Sequence, residues 1–241
     1  AQSRPDGAFL TTRWSMVLRA AHDDHAGAAE ALEGLCQAYW HPLYCFVRRQ
    51  GYGPEEAGDL TQDFFATLLR HDLLMRAHPE KGRFRSYLLG VMKNVMAQSR
   101  DRATTAKRGG GTIPLSVDGM DAETRYRLEP ADEESPDVLF DRQWARTVMV
   151  RATERLRADY VSAGHEERFH VLREFLLPGK QDMSYAKAAA ALALSEGALK
   201  SAVFKLRQRF SEALRAEIAD TVSAESEVEA ELRYLARALG A

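Results

Sequence analysis

Apolar residues recur at intervals of three and four from Trp14 to Arg102, as in Phe84, Leu88, Val91 and Val95, and no stretch alternates with period two for long enough to make a strand. The pattern predicts an all-α chain. Gly51-Tyr52-Gly53-Pro54 should end one helix and open the next, with Pro54 in a first turn and Glu55 and Glu56 against the positive helix end. The helical period lapses between Gly109 and Pro136, where three glycines and Pro114, Pro130 and Pro136 read as an inter-domain linker. Two helical domains are therefore expected, over residues 1–105 and 138–220, joined by a flexible acidic linker at 106–137. Residues 221–241 add an amphipathic C-terminal helix with Val228, Leu232, Leu235 and Leu239 along one face and Ser226 and Glu229 as a capping box. It could dock on the second domain or receive a regulator. Before the first domain, Trp14 and Val17 of the segment Phe9–Val17 are candidates to pack on it, with Thr12 as a cap.

Within the second domain, Ser184 is placed to cap a short Ala-rich helix from Tyr185 to Leu192, and Ser195 to cap a second helix from Glu196 onward. Two helices joined by a tight turn, the second basic, make a helix-turn-helix. Ala190, Leu192, Leu194, Leu199, Val203 and Leu206 are expected in its core. Lys200, Ser201, Phe204 and Lys205 fall on another face, where flexible donors can reach base edges and cations can reach phosphates.

Composition changes this picture only when taken by segment. The 241 residues carry 33 Lys and Arg against 35 Asp and Glu, a net charge of -2 that points to no polyanionic partner. Between Lys81 and Arg108, however, eight basic residues face one acid; between Val117 and Asp141 nine acids face two arginines; from Ser184 to Arg215 six basic residues face two acids. Two basic blocks around an acidic segment suit a chain that grips a polyanion at two places. Charge blocks alone fit solvated helix faces equally well.

Other chemistries find little support. Cys36 and Cys45 lie in no zinc-binding spacing, and His22-Asp23-Asp24-His25 has no third ligand after it, so no metal site and no disulfide scaffold is expected. His165 and His170, among Glu166, Glu167 and Arg168, read as surface. The longest apolar run, Ala188 to Leu194, falls far short of the roughly 20 residues that cross a bilayer, and AQSRPDGAFL lacks the order of a secretion leader. A cytoplasmic protein without membrane insertion is expected. No nucleophile elbow, phosphate loop or paired-carboxylate motif is present, so no catalytic residue, no cofactor and no enzymatic activity is expected.

The run from Tyr185 to Phe210, with Ser195-Glu196-Gly197-Ala198-Leu199-Lys200-Ser201 opening its second helix, resembles the DNA-binding domain of bacterial RNA polymerase sigma factors of the extracytoplasmic-function group. Three stretches of the first domain resemble, in order, the signatures of the sigma domain that binds the polymerase clamp and melts promoter DNA: Tyr39 to Arg49, Glu56 to Phe65, and Phe84 to Asn94. The resemblance implies a sigma factor that binds core RNA polymerase through the clamp of the largest subunit and the flap of the second largest. It implies clamp contacts from Asp59, Leu60, Gln62, Asp63 and Phe65, and the spacing of Asp59, Gln62 and Asp63 puts those three on one helix face. It assigns the minus-ten promoter element to Arg83, Arg85, Tyr87, Lys93, Asn94, Arg100 and Arg102, and the minus-thirty-five element to Lys200, Ser201, Phe204 and Lys205. Tyr87 stands where many relatives carry Trp; a Tyr there also suits a helix core.

Gly58 departs from the pattern by replacing an acid just before Asp59, which lowers helix propensity and negative charge on the clamp-facing side. Phosphorylation of Thr61 would return about -1.5 to -2 of charge, so a Ser/Thr kinase joins an anti-sigma factor as a candidate regulator. A stand-alone helix-turn-helix repressor or activator is the alternative, favoured if the first domain binds a ligand or dimerises.

Overall fold

The structure, a computed structural model, describes residues 26–70, 73, 83–105, 119–129, 134–177, 183–219, 222 and 225–240. The stretch Phe9–Val17, the histidine pair at 22 and 25, and the glycines at 109–111 lie outside them. The described residues are helical and include no strand. In chain order the helices are α1 (Ala26–Arg49), α2 (Pro54–Arg70), α3 (Phe84–Thr105), α4 (Gly119–Arg127), α5 (Pro136–Ser162), α6 (Glu166–Leu172), α7 (Tyr185–Ala191), α8 (Glu196–Ala219) and α9 (Glu225–Ala238). A 3₁₀ turn at Arg173–Phe175 follows α6.

The chain divides into two compact units. One is Arg146–Ile218; the other joins Ala1–Ala145 to Ala219–Ala241. This differs from the sequence expectation in two ways. The boundary falls inside α5, whose Leu139, Phe140 and Trp144 are buried in the first unit and whose Ala152 and Leu156 are buried in the second. The C-terminal helix belongs to the first unit and not to the helix-turn-helix unit.

The first unit is built on α1, α2 and α3. Tyr39, Leu43, Phe46, Phe64, Phe65, Leu68, Leu88 and Met92 are fully or almost fully buried, and Tyr39 meets Phe84 edge to face with ring centroids 5.8 Å apart. Gly51, at φ +94°, closes α1 in a conformation that side chains resist, and its N–H donates to the Arg48 carbonyl. Pro54 then opens α2 with Glu55 and Glu56 in the first turn, as the sequence predicts.

Helix α4 lies in the segment expected to be a flexible linker. It is anchored on α1: the Glu123 carboxylate accepts from Arg48 Nε at 2.9 Å and Nη2 at 3.0 Å and from the Tyr44 hydroxyl at 2.7 Å. The charge-assisted bonds from Arg48, ahead of the opposing effect of burial, hold the Glu123 carboxyl down at about 2. Burial, and then the bond to Glu123, pushes the Tyr44 phenol well above its ordinary value. A short helix of two acids and two arginines, pinned to α1 through Glu123, thus replaces part of the expected linker.

In the second unit, Leu156, Phe169, Leu172, Phe175, Ala188, Ala189, Leu199, Val203, Leu206 and Phe210 form one core. Leu199, Val203 and Leu206 are there as expected. Leu192 and Leu194 are only partly buried, and Ala190 is exposed, its place taken by Ala188 and Ala189. The short α7 packs on α6, and its Ala188 and Ala189 join the core that Leu199 and Ala202 of α8 also enter.

Candidate nucleic-acid interface

Both predicted caps of the helix-turn-helix form. Ser184 Oγ accepts from the Lys187 N–H at 3.3 Å, and Ser195 Oγ accepts from the Ala198 N–H at 3.2 Å. Between them the chain turns through Ala193 at φ +52°. The Ala193 N–H donates to the Ala190 carbonyl at 3.2 Å and the Leu194 N–H to the Ala189 carbonyl at 2.9 Å, which closes α7 in a Schellman motif with alanine where glycine is usual. This turn sets the angle at which α8 leaves.

On α8 the core and the candidate reading face separate cleanly. Leu199, Ala202, Val203 and Leu206 point inward, whereas Lys200, Ser201, Phe204 and Lys205 are exposed. Phe204 is 68% exposed, an apolar ring held in water between two lysines. Such a face offers cations for phosphates and an apolar surface for a thymine methyl group. Farther along, Arg207 Nε donates to the Phe175 carbonyl and is tied to the fold, while Arg209 makes an exposed pair with Asp159 at 3.2 Å.

Helix α3 carries the other basic face, and the seven residues assigned to it fare differently. Asn94 is exposed. Lys93, half-exposed, pairs with Asp137 of α5 at 2.6 Å. Exposed Arg100 donates to the Tyr52 hydroxyl at 2.7 Å and lies over its ring. All three are exposed to a polyanion, and the Lys93–Asp137 pair at the surface is weak enough to give way to one. Tyr87 is tied down: its hydroxyl donates to the Leu73 carbonyl and its ring stacks on Phe84. Arg102 lies in α3, but its side chain is outside the described residues.

Arg83 and Arg85 form the centre of a cluster with the C-terminal helix. Glu231 of α9 accepts from Arg83 Nε at 2.6 Å through one oxygen and from Arg85 Nη1 through the other. Arg85 Nε also donates to Asp141 at 3.0 Å, and Tyr234 donates its hydroxyl to the same carboxylate. The Arg85 guanidinium lies over Tyr234 and Trp144, with centroids 4.0 and 4.7 Å away. Burial first, and then the bond to Asp141, raises the Tyr234 phenol. The side chains of Arg85 and Glu231 are 5% and 4% exposed, so Arg85 does not stand on an open surface as the sequence assignment supposed. Buried charges of this kind must pair, and Arg85 finds its partners in Asp141 of α5 and Glu231 of α9.

The polymerase-facing assignment on α2 is also sorted by burial. Asp59 is exposed, and Gln62 and Asp63 are partly buried on the same side of the helix. Leu60 and Phe65 are core residues, 3% and 0% exposed, with Phe65 packed edge to face on Phe64 at 5.0 Å. Thr61 is fully buried and donates its hydroxyl to the Ala57 carbonyl at 2.7 Å. In this arrangement no kinase can reach it. A Cβ at Gly58 would meet nothing within 4 Å, so an acid would fit there sterically.

Glu123, Asp141, Glu231 and Tyr234 had no assigned role on sequence grounds. Glu231 did carry a signal: it lies three residues after Val228 and four before Leu235, a carboxylate on the apolar face of α9. Among the described residues no group of three or more His, Cys, Asp or Glu could hold a metal ion, and no helix is long and apolar enough to cross a membrane. Comparison with models of known protein families, with curated proteins and with solved structures found no match.

Proposed function

We propose that the chain is a sigma factor that brings core RNA polymerase to a two-part promoter and helps open the DNA. The observation that carries this reading is the capped helix-turn-helix whose α8 turns Lys200, Ser201, Phe204 and Lys205 to solvent while its other face fills the core. Helix α3 adds a second basic face in a separate unit, with Lys93, Asn94 and Arg100 accessible. The exposed edge of α2 around Asp59, Gln62 and Asp63 offers acids and an amide to a basic partner surface such as the polymerase clamp. In this role the chain has no bond chemistry of its own. Its α8 reads the minus-thirty-five duplex, and the cations of α3 hold the backbone at the minus-ten element while strands separate.

The test is run-off transcription with purified chain and core polymerase on a genomic template library. Specific starts that require the chain are expected, and Lys200→Ala with Lys205→Ala should abolish them without lowering the unfolding midpoint. Tight binding to duplex sites without polymerase, with no chain-dependent starts, would overturn the reading in favour of a stand-alone repressor or activator.

A further inference from the structure

We propose that the C-terminal helix α9 is an internal latch that occupies an anion site on α3: the Glu231 carboxylate holds Arg83 and Arg85 as a nucleic-acid phosphate would, and must leave before this end of α3 can grip DNA. The inference rests on the reading that α3 meets nucleic acid. Both oxygens of one carboxylate are used, one for each arginine, which is how a phosphate bridges two guanidiniums. The exposure is graded. Arg83 is 43% exposed at the rim, while Arg85 and Glu231 are sealed beneath.

The hold of α9 is correspondingly modest. It has 14 residues, short for a helix that must be stable by itself, and its buried apolar side chains are Val228 and Leu235. Its charged contact gains little net stability, because desolvating Arg85 and Glu231 offsets much of their attraction. A polyanion also has a way in. Arg83, Arg233 and Arg237 line an open groove floored by Ala230 and Ala236, and both α9 arginines are exposed. Phosphates drawn to that groove meet Arg83 first, beside the carboxylate they would replace.

The test uses the full chain without polymerase and a fluorescent single-stranded DNA 20-mer of mixed sequence. Glu231→Gln removes the competing charge; Glu229→Gln, an exposed residue on the same helix, makes the same charge change elsewhere. Arg85 keeps Asp141 as a partner, so freeing Arg83 should steepen the salt dependence by about 0.7, the value for one new phosphate contact, and between 50 and 200 mM salt Glu231→Gln should lose about 2.6-fold more affinity than the parent chain. At low salt it should bind tighter, and amide exchange over 225–238 should quicken when DNA is added to the parent chain. Glu229→Gln should leave the slope unchanged. If Glu231→Gln unfolds at a much lower midpoint, Leu235→Ala, which loosens the same helix through its apolar face, takes its place with the same readouts. An unaltered slope in the folded variant, or equal slopes for Glu231→Gln and Glu229→Gln, would overturn the latch. Because the readout needs neither polymerase nor promoter, the latch and the sigma reading can fail separately.

Discussion

Replacing Glu123 with Gln tests whether α4 is a docked helix or a piece of free linker. The carboxylate accepts from Arg48 twice, from the Tyr44 hydroxyl and from Arg127 Nε at 3.0 Å. Its folded pKa of about 2 lies below the ordinary 4.5, so the unfolded chain binds the proton more readily, and the ionised form stabilises the fold above that ordinary value. That stability is lost as the pH falls from about 5 towards 2. Taken at face value the shift corresponds to about 3 kcal/mol, but Arg127 is exposed and Glu123 lies near water, and screening reduces this to about 1–2 kcal/mol. Urea unfolding of the parent chain and Glu123→Gln, followed by circular dichroism from pH 7 to pH 2.5, should show that gap at neutral pH and its closure in acid. Amide exchange over residues 119–127 should quicken in the variant at pH 7. No gap at pH 7, or one that stays constant from pH 5 to pH 2.5, would refute the anchoring of α4 through this carboxylate.

Ala193→Gly should stabilise the second unit by about 0.5–1 kcal/mol, since relief of the left-handed backbone at φ +52° outweighs the entropy that glycine loses on folding; thermal unfolding measures it. Leu199→Ala should cost about 2–5 kcal/mol because Leu199 is fully buried beside α7, whereas Lys200→Ala, one residue on and exposed, should leave stability unchanged and reduce the salt slope of duplex binding by about 0.9. Thr61→Ala should lower stability by about 1 kcal/mol and Thr61→Asp by about 3 kcal/mol or more, read by urea midpoints, because a charge at a fully buried site has no water. Burial pushes the Cys36 thiol up to about 11, so its reaction with a disulfide reagent at pH 8 should be slow in the folded chain and fast in denaturant.

Local chemistry made the helix-turn-helix legible. Ser184, Ser195, Gly51 and Pro54 act on backbone groups within a few residues of themselves, and a period of 3.6 places Leu199, Val203 and Leu206 opposite Lys200 and Lys205 whatever else the chain does. The candidate site on α3 was legible only in part, because a basic residue in a sequence looks the same whether it faces water or a carboxylate. Arg85 and Lys93 illustrate this: one is sealed under Glu231 and the other is half-exposed beside Asp137.

What the sequence determined by itself is the all-helical class, the ends of several helices and the division of α8 into a core face and a charged face, since all three depend on neighbours within about one or two turns. Which distant groups meet depends on how the helices pack. Glu123 reaches Arg48 across 75 residues and Glu231 reaches Arg85 across 146. The same packing buries Leu60, Thr61 and Phe65 and leaves Asp59 in water. Burial and charge pairing are properties of surfaces brought together by folding, and no spacing along the chain encodes which carboxylate will shield which arginine.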